Sequence, residues 1–335
     1  LHDSLQTRSS LLVVLLKSPA AVGVLRGDGD RLAGVALSPD GRTLAVIDND
    51  GTLRLVDTGT RRPVARPLTV SGMWRDGAWE VLSFSEDGSR LAVGGMQPVV
   101  LDARTHRVVA RLPAMDGRSI EPLRLSADGR TLFAAVFVPP DHTAVRRFDA
   151  TTGRPLGATR FVGRGIAPSA LRFTSDGRVV TSRAGGPTTV RDARTLARVS
   201  ELEQMPRPLV QLPAGGDQTA LSPDDRTLLL GGRDGSVRFL DLATGKVRAA
   251  SERHDGAVVR AAISADGRTA VTGGEDRRVT VWNVERAVAR DTLEGHAGEI
   301  TGLAISHDAE TLYSAAQDGT VLIWDLAGNR RRRRR

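Results

Sequence analysis

Two sets of four residues stand at matching spacing near the end of this 335-residue chain. His254, Thr272, Asp276 and Trp282 are separated by 18, 4 and 6 residues, and His296, Ser314, Asp318 and Trp324 repeat those separations. A hydroxyl, an imidazole and a carboxylate are the parts of a nucleophilic triad, in which the imidazole takes the hydroxyl proton and the carboxylate fixes its tautomer. The same groups also make a structural chain. An indole N–H donates to the hydroxyl, the hydroxyl to the imidazole, and the imidazole to an aspartate that caps a tight turn, so each buried polar atom is satisfied. The structural reading is the stronger one, because Thr stands for Ser in one set and each set carries a Trp that hydrolysis does not need. No catalytic residue is therefore expected.

Other chemistry is sparse. His2, His106, His142 and His307 are scattered, with no pair at metal-ligand spacing. The pairs Gly94-Gly95, Gly185-Gly186 and Gly273-Gly274 fall at strand ends rather than in a phosphate-binding loop. Asp48-Asn49-Asp50-Gly51 has the start of a calcium loop but lacks its downstream acid. Neither a cofactor nor a metal is expected, and the chain reads as a binder rather than an enzyme.

The elements that position these residues announce themselves by a repeated turn. Ser38-Pro-Asp-Gly-Arg-Thr-Leu44 recurs in altered form at Ser85, Ser126, Thr174, Ser222, Ser264 and Ser306, with turn aspartates 41 to 48 residues apart. That is the period of a four-stranded propeller blade. Within each period, alternating apolar runs such as Leu44 to Ile47 and Leu53 to Val56 flank short Asp-Gly turns, the pattern of antiparallel hairpins. The expected fold is all-β: a seven-bladed β-propeller, 21–329. Its last unit has too little chain for a fourth strand, so Ala21-Val-Gly-Val-Leu25 is expected to supply the outer strand and close the ring.

On these residues the chain resembles the WD-repeat (WD40) family. Gly295-His296 with Trp324-Asp325 forms a complete signature, and His254 with Trp282-Asn283 a nearly complete one. Elsewhere the terminal dipeptide has drifted to Val56-Asp57, Leu101-Asp102, Phe148-Asp149, Arg191-Asp192 and Leu240-Asp241. In the other five units the full polar set is missing: Asp50 and Asp234 keep the turn acid, while Val46 and Leu230 replace the hydroxyl and Val56 and Leu240 the indole. Those units are expected to rely on apolar packing. The resemblance also implies that the top face, bearing the Asp50, Asp234, Asp276 and Asp318 turns, is the contact surface. Its candidate partner-binding residues are Trp74, Arg75, Arg118, Arg164, Arg207 and Arg233, of types favoured at interface hot spots. Against this stands the reading of those arginines as solvated charge offset by Asp28, Asp76, Asp116 and Asp255. Longer top-face segments at Phe137 to His142 and Met205 to Gly216 add surface there.

Residues 1–20 read as a helical linker from an upstream domain, with Leu5, Leu12, Leu15 and Leu16 on one helical face. Asp3 to Leu12 followed by Ser18 to Arg26 is similar to the junction before the propeller in large bacterial transcriptional regulators that carry a signalling NTPase. That likeness implies a sensor or autoinhibitory propeller in a larger signalling or transcription-regulating protein. None of the DNA-binding or nucleotide-binding residues of such regulators occur in this chain.

Charge is concentrated at one end. The formal net charge is +8, and Arg330 to Arg335 supply six of those units, leaving the body near neutral. Nucleic acid is therefore not expected to bind the propeller itself, although the arginine tail, 330–335, could contact polyanions. Cysteine is absent, which suits a reducing, cytoplasmic setting. The longest apolar run, Leu11 to Leu16, is far too short to span a bilayer, and no membrane association is expected. The partner is expected to be a protein or a fused upstream domain. Two alternatives remain: a propeller enzyme with a site in the central channel, and a polyanion binder acting through the tail.

Overall fold

The computed structural model describes residues 18, 20–26, 31–70, 81–95, 97–113, 123–138, 142–164, 171–174, 178–181, 188–192, 194–195, 197–202, 218–222, 224, 226–250 and 252–328. Among them there is no helix, and 28 strands form seven four-stranded antiparallel sheets. No helix is long and apolar enough to cross a membrane. The expected helical linker and the arginine tail lie outside the described residues.

The chain opens with β1 (Ala21–Arg26). Sheet 1 then comprises β2 (Leu32–Leu37), β3 (Thr43–Asp48), β4 (Thr52–Asp57) and β5 (Leu68–Thr69). Sheet 2 is β6 (Leu82–Phe84), β7 (Arg90–Val93), β8 (Val99–Asp102) and β9 (Val108–Arg111). Sheet 3 is β10 (Leu123–Leu125), β11 (Thr131–Val138), β12 (His142–Asp149) and β13 (Arg160–Arg164). Sheet 4 is β14 (Leu171–Phe173), β15 (Arg178–Thr181), β16 (Thr188–Asp192) and β17 (Arg198–Leu202). Sheet 5 is β18 (Gln218–Leu221), β19 (Thr227–Gly231), β20 (Val237–Asp241) and β21 (Val247–Ala249). Sheet 6 is β22 (Val258–Ile263), β23 (Thr269–Gly274), β24 (Val279–Asn283) and β25 (Val288–Leu293). Sheet 7 is β26 (Ile300–Ile305), β27 (Thr311–Ala316) and β28 (Thr320–Asp325), with β1 as its outer strand.

The pairing of β1 with β28 runs from Ala21 opposite Trp324 to Arg26 opposite Thr320. A strand from the start of the chain therefore completes the last sheet and covers an edge that would otherwise be open. Sheets 7 and 1 also pack face to face, burying Leu32, Leu44 and Val46 against Leu25, Tyr313 and Ile323. Five further clusters fill the spaces between neighbouring sheets, from sheets 1 and 2 round to sheets 6 and 7. The side chains between sheets 3 and 4 lie largely outside the described residues. The whole is a β-propeller whose innermost strands line a channel.

The repeated turn joins the first and second strands of each sheet. In sheet 1, Ser38 donates its hydroxyl to Asp40 at 2.6 Å, Asp40 accepts the Arg42 amide, and Ser38 accepts the Thr43 amide. Gly41 takes φ of +71°, a left-handed conformation that glycine adopts without a Cβ penalty. In the seventh copy Ala309 is held there at +56°. The serine and the aspartate thus replace the hydrogen bonds that the backbone loses where the strands reverse. Hydrogen bonding to the serine hydroxyls holds the carboxyls of Asp40, Asp128, Asp266 and Asp308 below the ordinary aspartate range.

A second motif went unread as a motif in the sequence. In sheets 1 to 5 the aspartate of the terminal dipeptide caps the turn from third to fourth strand, accepting the amide and the hydroxyl of a threonine three residues on. Asp57 with Thr60, Asp102 with Thr105, Asp149 with Thr152, Asp192 with Thr195 and Asp241 with Thr244 all do so. The Asp persists where the Trp is lost because it caps the turn that follows the strand, which does not involve the indole. An Asp-x-x-Thr spacing repeated five times was the available signal.

Candidate functional site

The two polar sets are assembled by sheets 6 and 7. In sheet 7, β27 supplies Ser314, β28 supplies Trp324, the turn between them supplies Asp318, and His296 enters from the loop before β26. Trp324 Nε1 donates to Ser314 Oγ at 2.7 Å, and Ser314 Oγ lies 2.7 Å from His296 Nε2. His296 Nδ1 is 3.1 Å from Asp318 Oδ2, which also accepts the Ala297 amide at 2.7 Å. A carboxylate only accepts, so Nδ1 carries a proton and donates it to Asp318. The imidazole meets the Trp324 indole edge-on, with ring centroids 6.4 Å apart.

Sheet 6 repeats the arrangement. Trp282 Nε1 and His254 Nε2 each lie 2.7 Å from Thr272 Oγ1, and His254 Nδ1 lies 3.0 Å from Asp276 Oδ2. Asp276 further accepts the amides of Asp255 and Arg278. Two elements distant in sequence, a loop and a hairpin, are tied together by one side chain.

Burial drives both carboxyls toward the neutral form, but hydrogen bonds and the neighbouring imidazole outweigh it. Asp318, bonded also to the Thr320 amide and hydroxyl, is lowered to about 2, and Asp276 is lowered as well. Glu299, at the top of sheet 7, goes the other way: burial raises its pKa despite the nearby Arg260.

Distances alone would suit a triad. Accessibility does not, because Ser314 and Thr272 are 0% exposed. The indole N–H also occupies a lone pair of the oxygen that would attack a substrate. What the arrangement does physically is satisfy a buried hydroxyl, indole and imidazole while fixing the top loop to the sheet.

Sheets 1 and 5 solve the same position differently. Val46, Val56, Leu230 and Leu240 are buried where the hydroxyl and indole would be. The expectation that Asp50 serves as the turn acid of sheet 1 is corrected. Asp48, two residues earlier, accepts the Asp50 and Thr52 amides and pairs with Arg54 at 2.8 Å. The exposed Asp50 carboxylate is not the capping group, because the buried Arg54 draws the charge to position 48. Sheet 1 therefore does not rely on apolar packing alone. In sheet 5, Asp234 does cap its turn, accepting the Ser236 amide and hydroxyl. Asp48 being spent on Arg54 also argues against the calcium reading, and no group of three or more metal-ligating side chains occurs among the described residues.

The candidate partner surface is only partly visible. Trp74, Arg75, Arg118 and Arg207 lie outside the described residues, as do Trp79 and 203–217. Arg164 ends the outer strand β13 opposite His142 rather than sitting in a loop. Arg233 is exposed in the turn between β19 and β20. The lengthened hairpin of sheet 3 is present as the eight-residue strands β11 and β12, paired up to Val138 opposite His142.

Residues 245–283 and 288–325 match the WD domain, G-beta repeat family. These two segments are similar to WD40 repeats. Each begins with the outer strand of one sheet and continues through the first three strands of the next, and the two contain both polar sets. The phase of the WD40 repeat thus accounts for β1, which supplies to sheet 7 the outer strand that each repeat lends to its neighbour. No characterised protein matches the chain at significant similarity.

Proposed function

We propose that the chain forms a single closed seven-bladed WD40 propeller, 21–329, that acts as a non-catalytic protein-interaction module. Within a larger signalling or transcription-regulating protein it would sense a partner or restrain a fused effector from its top face. The observation that carries this reading is the complete enclosure of Ser314 and Thr272, which leaves the most triad-like groups without access to a substrate. The WD40 repeats support it further, since such propellers commonly bind protein partners. The exposed Arg233 turn and the long sheet 3 hairpin offer a contact surface on the loops opposite the Ser-x-Asp turns.

The test is made in the full-length product of the gene. Removing 21–329 is expected to raise the basal output of the attached effector, and Arg233→Glu to shift that output in the same direction. A control, Asp128→Asn on the opposite face, is expected to leave it unchanged. Output that is indifferent to removal of the propeller overturns the regulatory reading.

A further inference from the structure

We propose that the central channel is a binding site for a small amphipathic carboxylate bearing a second polar group at its far end. The channel encloses a cavity of about 610 Å³ lined by innermost strands of six sheets, within the size range of small-molecule sites. Its lower end is a ring of half-buried apolar side chains, Phe84, Leu221, Ile263 and Ile305, each directly before the turn hydroxyl of its sheet.

One residue above that ring the sheets carry Ala36, Ser83, Ala220, Ala262 and Ala304. Sheet 3 carries Arg124 there instead, exposed within the channel and without a hydrogen bond or ion pair among the described residues. Beside the small Ala36, Ser83, Ala220, Ala262 and Ala304 an arginine adds nothing to packing, and its planar fork matches a carboxylate. Arg172 holds the same register position in β14.

Higher in the channel stands Thr301, whose hydroxyl is buried and has no hydrogen-bond partner. It sits at a β-bulge between Ile300 and Gly302, and the matching bulges of sheets 1 and 6 hold Ala33 and Val259. Bulges re-aim side chains, and Val is nearly isosteric with Thr, so the fold itself does not call for the hydroxyl. A buried hydroxyl left unpaired is a donor awaiting an acceptor. Two to three residues separate the levels of Arg124 and Thr301, roughly 7 to 10 Å along the strands. Leu82 and Leu303 line the wall between them. That order, cation, apolar wall, hydroxyl, describes a ligand with a carboxylate at one end, a short hydrocarbon middle and a hydrogen-bond acceptor at the other.

This inference stands apart from the interaction-module reading. Calorimetric titration of the whole chain with 8-hydroxyoctanoate, octanoate and octan-1-ol tests it. Both acids are expected to bind and the alcohol to bind far more weakly. Arg124→Gln is expected to weaken both acids at least tenfold while Arg124→Lys retains part of the affinity, with circular dichroism confirming the fold. Thr301→Val is expected to reduce 8-hydroxyoctanoate to the affinity of octanoate and to leave octanoate unchanged. Absence of binding by either acid, or equal affinity in Arg124→Gln and wild type, overturns the proposal.

Discussion

Sheets 1 and 7 face each other across the join of the ring, yet they secure the same hairpin by opposite means. Sheet 7 runs a hydrogen-bonded relay from Trp324 through Ser314 and His296 to Asp318. Sheet 1 fills the hydroxyl and indole positions with Val46 and Val56 and moves its carboxylate back to Asp48, opposite Arg54. Where Asp48 and Arg54 stand in sheet 1, sheet 7 has Ala316 and Leu322. The difference teaches that the hairpin requires a capping carboxylate, and that its neighbours decide which residue supplies it. It also shows why a Ser-His-Asp cluster here is a fastener: the sheet that lacks it holds the same hairpin around an ion pair.

The largest disruption should come from β1, the outer strand of sheet 7, which leads into sheet 1. Deleting 21–27 removes the buried Ala21, Val24 and Leu25 and exposes the edge of β28, so the melting temperature is expected to fall by on the order of 10 °C. An unchanged melting temperature would refute the closure by β1. Next, Asp48→Ala leaves a buried arginine without its carboxylate and is expected to cost about 3 kcal/mol in chemical denaturation. Its counterpart, Asp318→Ala, deprives the imidazole and the Ala297 amide of an acceptor and should cost about 1 to 3 kcal/mol. If Asp318→Ala proved the more damaging, the relay rather than the ion pair would be the stronger fastener.

Acid sharpens the contrast. The Asp318 pKa is lowered from 3.8 to about 2 on folding. A lowered carboxyl stabilises the native state fully above its unfolded pKa and loses that contribution as pH falls through the folded value. The stability gap between wild type and Asp318→Asn should therefore be full above about pH 4 and narrow toward about pH 2. A gap that stays constant over that window would mean the carboxylate is not preferentially charged in the native protein. The smallest effect is a gain: Ala309 holds φ of +56° where Gly41, Gly88, Gly129 and Gly267 stand in four other copies, and Ala309→Gly should stabilise by about 0.5 to 1 kcal/mol.

Much of this architecture was legible in the sequence because turns are written locally. The Ser-x-Asp-Gly copies mark strand reversals, and their period fixes where sheets begin, which also revealed that β1 belongs with β28. The relays of sheets 6 and 7 were legible because one spacing occurs twice. Position 48 was not, since choosing between Asp48 and Asp50 depends on Arg54 being buried beside one of them, and burial is not a local property. The channel was equally hidden. Arg124 looks like an ordinary strand arginine until six innermost strands are brought around it, and Thr301 like an ordinary β-branched residue until a bulge leaves its hydroxyl unpaired.

The Ser-His-Asp geometry of sheet 7 is a buried structural relay. Incubating the native protein with a fluorophosphonate, which labels serine nucleophiles activated by a histidine, tests it most directly, with the adduct mapped by peptide mass spectrometry. No adduct is expected at Ser314, alongside a loss of about 1 to 3 kcal/mol in Ser314→Ala. Stoichiometric labelling of Ser314 in the folded protein would contradict it.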